Sequence, residues 1–98
     1  MAQEEIAREG DLCRGHDSCP DTVITTYSDN VKVEGKWCAR IDDECDSHGC
    51  PAHPTHVRHI AVGAAKVLVN NRKMAYKDAA IDCGGQIGAG ASKSYVGP

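Results

Sequence analysis

The sequence predicts a small all-β domain, built from three related repeats with irregular loops and no substantial helix. Three observations support this fold class. Short segments such as Val31 to Glu34 alternate apolar and polar side chains, as half-buried strands do. The pairs Glu34-Gly35 and Asn70-Asn71 follow such segments and suit tight hairpins. The longer connections contain Gly, Pro, Asp and Ser without helical periodicity, which is typical of loops.

The repeat is visible when the chain is compared with itself. Five positions recur in the same order 36 residues later, and the segment Ile60 to Lys66 recurs 27 residues later as Ile87 to Lys93. The first set is Ile24, Tyr27, Val31, Val33 and Ala39, which becomes Ile60, Gly63, Val67, Val69 and Ala75. We therefore interpret residues 1–98 as a single domain with repeats at roughly 7–36, 39–72 and 75–97.

The two ends of the chain complement each other. The third repeat stops near Gly97 without the Ala-Arg segment that should follow it, whereas the chain begins with an Ala-Arg pair that follows no repeat. We expect the strand around Ile6 to Arg8 to close the third repeat, which gives a threefold pseudo-symmetric body without an exposed terminal edge. The alternative is a frayed N-terminus.

The chain needs a cross-link such as a disulfide or a bound metal, because 98 residues with no Phe and one Trp form only a thin core. His16 and His48 each lie nine residues after the alanine of an Ala-Arg pair, and His56 and Cys83 each lie four residues before an equivalent isoleucine. A threefold body brings equivalent loops together at one end. Three imidazoles and one thiolate are a closed tetrahedral set for structural Zn²⁺, and Fe²⁺ fits less well. We predict one structural zinc bound by these four residues.

Other residues leave alternatives open. His53 and His59 could each replace one of the four ligands, or be exposed loop histidines. Cys13 and Cys45 occupy equivalent positions, which could mean a disulfide, a second metal site or shared ancestry alone; shared ancestry is the simplest interpretation. Cys38 is expected to be a small buried hydrophobe.

Charge and composition restrict the partners and the compartment. The net charge of −3 argues against nucleic acid or anionic lipid as a resting partner. The first ten residues carry three Glu and one Arg instead of an apolar run, so we expect synthesis in the cytosol. Thiols stay reduced there, which favours a metal over disulfides, unless the protein leaves the cell by a route without a cleaved signal. The apolar stretches are too short for a transmembrane span.

Three loop sequences resemble those of PAAR-repeat proteins. They are GDLCRGH from Gly10 to His16, SHGC from Ser47 to Cys50 and DCGG from Asp82 to Gly85. With the Ala-Arg segments, the resemblance covers about Ala7 to Gly97. It implies a pointed, cone-shaped β domain with zinc near its vertex, bound by the same set of His16, His48, His56 and Cys83.

The resemblance also implies a function and a partner. Such proteins cap the trimeric β-helical spike of contractile machines such as phage tails and type VI secretion systems. We expect one copy to dock on the end of a homotrimer and to help pierce the target cell envelope when the sheath contracts, in transient contact with the target membrane. It would be located in the cytoplasm during assembly, and then in a virion tail or baseplate, or at a secretion-machine spike tip outside the producing cell.

An enzyme and a binding module are the competing functions. Catalytic zinc keeps an open position beside a carboxylate, and neither a His-Glu-x-x-His motif nor a deaminase-type motif occurs, so we expect neither an enzyme nor a small-molecule substrate. The alternative function is a small disulfide-rich or zinc-stabilised binding module without a piercing role. The disulfide-rich form would contain three bridges and no metal.

Overall fold

The structure is a computed structural model that describes residues 3–15, 20–50, 53–82 and 84–98, with the side chains of all of these except 48–50 and 53–56. The described residues form strands, bridges and turns and no helix, so the predicted all-β class is confirmed. No helix in this part of the chain has the length and apolar character that a membrane crossing requires.

Ten short strands pair into five antiparallel two-stranded sheets in the described part of the chain. The pairs are β1 with β10, β2 with β3, β4 with β5, β6 with β7, and β8 with β9. In chain order the strands are β1 (Glu4–Glu5), β2 (Leu12–Cys13), β3 (Thr22–Val23), β4 (Lys32–Val33), β5 (Lys36–Trp37), β6 (Glu44–Cys50), β7 (His53–His59), β8 (Leu68–Val69), β9 (Arg72–Lys73) and β10 (Tyr95–Val96).

Two of the hairpins turn at the pairs that the sequence indicates. Glu34 and Gly35 join β4 to β5 with φ values of 51° and 83°, and Asn70 and Asn71 join β8 to β9 with 54° and 65°. Two-residue turns with a positive φ at both positions match the twist of the strands they connect. Gly and Asn accept this conformation readily, which explains their presence here.

Three alanines form a closed ring of backbone hydrogen bonds. The N–H of Ala39 donates to the carbonyl oxygen of Ala7, that of Ala75 donates to Ala39, and that of Ala7 donates to Ala75, each over 3.0 Å. All three residues are fully buried. The ring alanines lie outside the strands, at a place where three segments of the chain meet. Three backbones can approach this closely only where the side chains are small, so alanine suits these positions.

Further backbone hydrogen bonds recur in threes. In each case a turn residue with a φ between 69° and 74° donates its N–H to the carbonyl oxygen of a buried isoleucine. The three bonds are Gly10 to Ile24, Asp42 to Ile60, and Asp78 to Ile87. The isoleucines are the ones that the repeat comparison aligns, so their side chains give the three parts of the molecule one shared core.

The N-terminal segment is bonded along both of its edges. Glu4 lies opposite Val96 in the β1–β10 pair, and Ile6 forms a bridge with Tyr76 on its other side. Arg8 in turn forms a bridge with Cys38. The division of residues 1–98 into repeats at 7–36, 39–72 and 75–97 stays a prediction.

Two buried aspartates cap the turns that follow ring alanines. Asp11 accepts the backbone N–H of Arg8 over 2.8 Å, and Asp43 accepts that of Arg40 over the same distance. Asp43 also accepts the Arg40 guanidinium at 2.8 and 3.0 Å, which raises the pKa of Arg40. Both carboxylates are therefore compensated despite their burial.

Cys13 and Cys45 form a disulfide in the core, with a Cα to Cα distance of 6.3 Å. Shared ancestry alone, which the sequence favoured, is therefore too simple for this pair, and the expectation that thiols stay reduced is wrong here. The physical reason is tertiary. Cys13 pairs with Thr22 in the β2–β3 sheet, and Ile24 forms a bridge with Cys45 in β6, so strand pairing brings the two cysteines together.

Cys38 is a free, fully buried cysteine, which confirms its expected place in the core. Burial raises the pKa of its thiol to about 11, because the interior disfavours the thiolate.

Candidate metal centre

The β6–β7 hairpin brings two of the predicted ligands opposite each other. Its register pairs His48 with His56 and Cys50 with His53. The register shifts on both sides of the His48–His56 pair. Facing residues in a regular antiparallel pair have Cα atoms about 4.5–5.5 Å apart, close enough for two side chains to share one ion. The side chains of all four residues lie outside the described part, as do His16 and Cys83 altogether.

A single arginine joins the segments that flank the predicted ligands. Arg58 is fully buried in β7. Its Nη1 donates to Thr22 Oγ1 over 3.0 Å and to the carbonyl oxygen of Cys13 over 3.5 Å. Its Nη2 donates to the carbonyl oxygens of Arg14 and of Gly84, the latter over 3.4 Å. The guanidinium therefore lies where three segments of the chain meet.

Those three segments carry predicted ligands. Arg14 and Arg58 are two residues away from His16 and His56 respectively, and Gly84 directly follows Cys83. The structure thus brings the neighbours of these ligands together around one group. The donor chemistry of three imidazoles and one thiolate fits structural zinc at this place. Coordination by His16, His48, His56 and Cys83 stays a prediction.

The loop after Cys83 needs glycine. Gly84 and Gly85 have φ values of 98° and 84°, and the N–H of Gly84 donates to Ile81 over 3.0 Å. A Cβ on Gly85 would collide with the carbonyl oxygen of Arg14 and would lie 2.8 Å from Nη2 of Arg58. Gly85 thus lets the segment after Cys83 lie directly against the backbone of Arg14.

The first loop is anchored on both sides of residues 16–19. The N–H of Arg14 donates to the carbonyl oxygen of Gln86 over 2.8 Å. The N–H of Gly15 donates to Asp21 Oδ1 over 2.6 Å, which joins the two ends of the loop. The described backbone before and after residues 16–19 is therefore held in place, on one side against Gln86.

His59 has a carboxylate partner. Its backbone N–H donates to Asp82 Oδ1 over 3.0 Å, and its Nδ1 lies 3.2 Å from Asp82 Oδ2. The N–H of Asp82 donates in return to the carbonyl oxygen of His59 over 2.9 Å. His59, an alternative ligand from the sequence, therefore holds the backbone beside Cys83 against the end of β7.

Sequence reasoning did not identify Arg58 or Asp82 as parts of this centre. Asp82 carried a signal, because it directly precedes a predicted ligand. Arg58 carried a weaker signal: it is a long, positively charged side chain directly before His59. Among the side chains that the structure describes, no three His, Cys, Asp or Glu residues form a metal-binding group; the four predicted ligands are outside that set.

Comparison with known proteins gives a family. No curated protein matches the chain. The family model described as the PAAR motif matches residues 14–89, which include the β6–β7 hairpin, Arg58 and the loop with Gly85. This motif implies a role at the spike tip of contractile injection systems in general. With the match extending over most of its length, the chain belongs to the PAAR-motif family.

Proposed function

We propose that this chain is a zinc-stabilised tip that caps a trimeric spike and helps to pierce the target envelope when a sheath contracts. The spike would belong to a phage tail or a bacterial secretion machine. Family membership supports the spike-tip role in general. The observation that carries the finer proposal is the ring of hydrogen bonds among Ala7, Ala39 and Ala75.

The ring supports docking on a homotrimer because it arranges three similar strand pairs of one chain around a common centre. Along the chain, each ring alanine follows a strand of one two-stranded pair and precedes a segment that contains predicted ligands. The pairs β1–β10, β4–β5 and β8–β9 precede the ring. One copy of the chain could therefore meet three identical subunits, as the pseudo-symmetry of the ring matches a threefold axis.

Exposed apolar side chains favour the face formed by these three strand pairs as the docking face. Leu68 in β8 is 60% exposed and Tyr95 in β10 is 52% exposed. Val67, directly before β8, is also exposed. Val23, Val57 and Val62 are exposed outside these strand pairs, each less than Leu68 and Tyr95. Apolar groups next to a polar rim are typical of protein interfaces.

The metal centre supports the piercing role through rigidity. His16, His48, His56 and Cys83 would hold one ion and thereby tie loops from all three thirds of the chain. Structural zinc sites contribute about 10–16 kcal/mol of apparent binding free energy in small peptides. A domain of 98 residues with no Phe and one Trp benefits from such a cross-link, because its core alone is thin.

A structural rather than catalytic role follows from the donor set. Four protein ligands fill the tetrahedral positions of zinc and leave none for water or substrate. We therefore propose no enzymatic activity.

The binding module without a piercing role has one observation in its favour, the disulfide of Cys13 and Cys45. A three-bridge framework would need all six cysteines of the chain. Cys38 is free and buried, so the three-bridge form is disfavoured.

The docking experiment uses the full chain with a purified trimeric spike protein of a contractile system from the same source, measured by native mass spectrometry. We expect one chain per trimer. Leu68→Asp should weaken binding, and Val57→Asp, a similar change at an exposed residue of β7, should not. Failure of the unsubstituted chain to bind, or three chains per trimer, would contradict the proposal.

A further inference from the structure

We propose that Arg58 is the positioning residue of the metal centre: its guanidinium holds the segments that carry His16, His56 and Cys83 in the arrangement that one ion requires. The inference rests on the proposed zinc site, and it assigns to a residue outside the ligand set the task of arranging the ligands.

Burial makes Arg58 an unusual core residue. The whole residue is 0% exposed, and a charged group in the interior is costly unless acceptors surround it. The acceptors described here are one hydroxyl and three backbone carbonyl oxygens. Backbone acceptors fix the course of the chain, so the guanidinium determines where these segments run.

The acceptors lie on both sides of residues 16–19 and directly after Cys83. Arg14 precedes residues 16–19 and Thr22 follows them, so one guanidinium holds the two ends of the loop with His16. Gly84 places the same group against the residue after Cys83. A planar guanidinium with five N–H donors can serve several acceptors in fixed directions, whereas a lysine ammonium acts as a point charge.

Gly85 gives independent support for this close approach. A Cβ at this position would lie 2.8 Å from Arg58 Nη2 and would also collide with the carbonyl oxygen of Arg14. Glycine therefore occurs at the position where the segment after Cys83 meets the backbone of Arg14 and the guanidinium of Arg58.

A purely structural role for Arg58 makes a different prediction, and Arg40 supplies the matched control. The Arg40 side chain is 12% exposed and donates to the buried Asp43 over 2.8 Å. Its described partners are Asp43 and Asn70, neither of which adjoins a predicted ligand. Replacing either arginine should lower stability, but only Arg58 should affect the metal.

The experiment measures zinc affinity by chelator competition and the Co²⁺ absorption spectrum in the full chain. We expect Arg58→Lys to weaken zinc binding by about 10- to 100-fold, the usual effect of losing a group that orients metal ligands. Its Co²⁺ bands should shift or broaden. Thr22→Val keeps Arg58 and removes one acceptor, so it should weaken binding in the same direction by a smaller factor. Arg40→Lys should leave affinity and spectrum unchanged while lowering the melting temperature.

The outcomes separate this inference from the zinc site itself. Should the unsubstituted chain bind zinc while Arg58→Lys and Thr22→Val bind it as tightly as Arg40→Lys, Arg58 is a packing residue and the inference is wrong. If Arg58→Lys does not fold, Thr22→Val decides, and unchanged affinity in that variant overturns the inference. A chain that binds no zinc overturns the proposed site and this inference with it.

Discussion

The backbone N–H of Ala39 donates to the carbonyl oxygen of Ala7 over 3.0 Å. This bond joins two positions that are 32 residues apart and equivalent in the repeat pattern. Ala75 completes the ring with two further bonds of the same length. The small side chains at this ring are thus a direct requirement of the threefold backbone, and the ring connects the proposed docking face to the proposed metal centre.

Enlarging a ring alanine should destabilise the whole molecule. Ala39→Leu adds bulk at a position with 0% exposure, and overpacking of this kind costs about 1–3 kcal/mol. Ala65→Leu is the control, because Ala65 is exposed. The free energy of unfolding in urea measures both, and equal values would contradict the close approach of the three chain segments at the ring.

Removing the disulfide should also lower stability. Cys13 and Cys45 are separated by 32 residues, and cross-linking a loop of that length stabilises a protein by about 3–4 kcal/mol. Cys13→Ala with Cys45→Ala should lose about that amount in urea unfolding. Thiol alkylation of the unfolded, unreduced chain checks the pairing directly: Cys38 should be labelled, and labelling of Cys13 or Cys45 would contradict the bond.

The buried thiol of Cys38 should make stability fall in alkaline solution. Burial raises its pKa from an ordinary 9.0 to about 11. Between these values the unfolded chain has lost the proton that the folded chain keeps, so the free energy of unfolding decreases as pH rises through this window. The full effect is about 2–3 kcal/mol at pH 11.

Cys38→Ala should remove this part of the pH dependence. Urea unfolding at pH 8 and pH 10.5, compared between the variant and the unsubstituted chain, gives the difference. An identical slope in both proteins would show that Cys38 does not titrate in this way.

A comparison of alanine substitutions at Gly85 and Gly35 separates the cost of a positive φ from the cost of a steric collision. Their φ values are 84° and 83°, but a Cβ on Gly35 meets nothing within 4 Å whereas one on Gly85 meets Arg14 and Arg58. Gly35→Ala should cost about 1–2 kcal/mol from φ alone. Gly85→Ala should cost about 1–3 kcal/mol more. Equal melting temperatures would contradict the close contact of the two loops.

The sequence predicted much of the backbone because local signals agreed with the repeat. The turns at Glu34-Gly35 and Asn70-Asn71 and the burial of Cys38 follow from residue type and position. The disulfide and the role of Arg58 could not be predicted in the same way. Both depend on which distant strands meet, and neither the spacing of Cys13 and Cys45 nor a single arginine in β7 contains that information.

The zinc content of the purified chain, measured by elemental analysis, tests the central claim most directly. We predict about one zinc per chain. Cys83→Ser should lower zinc content and melting temperature more than Cys38→Ala does, because only the first removes a predicted ligand. A chain that folds and contains no metal, or equal effects of the two cysteine variants, would contradict the zinc site.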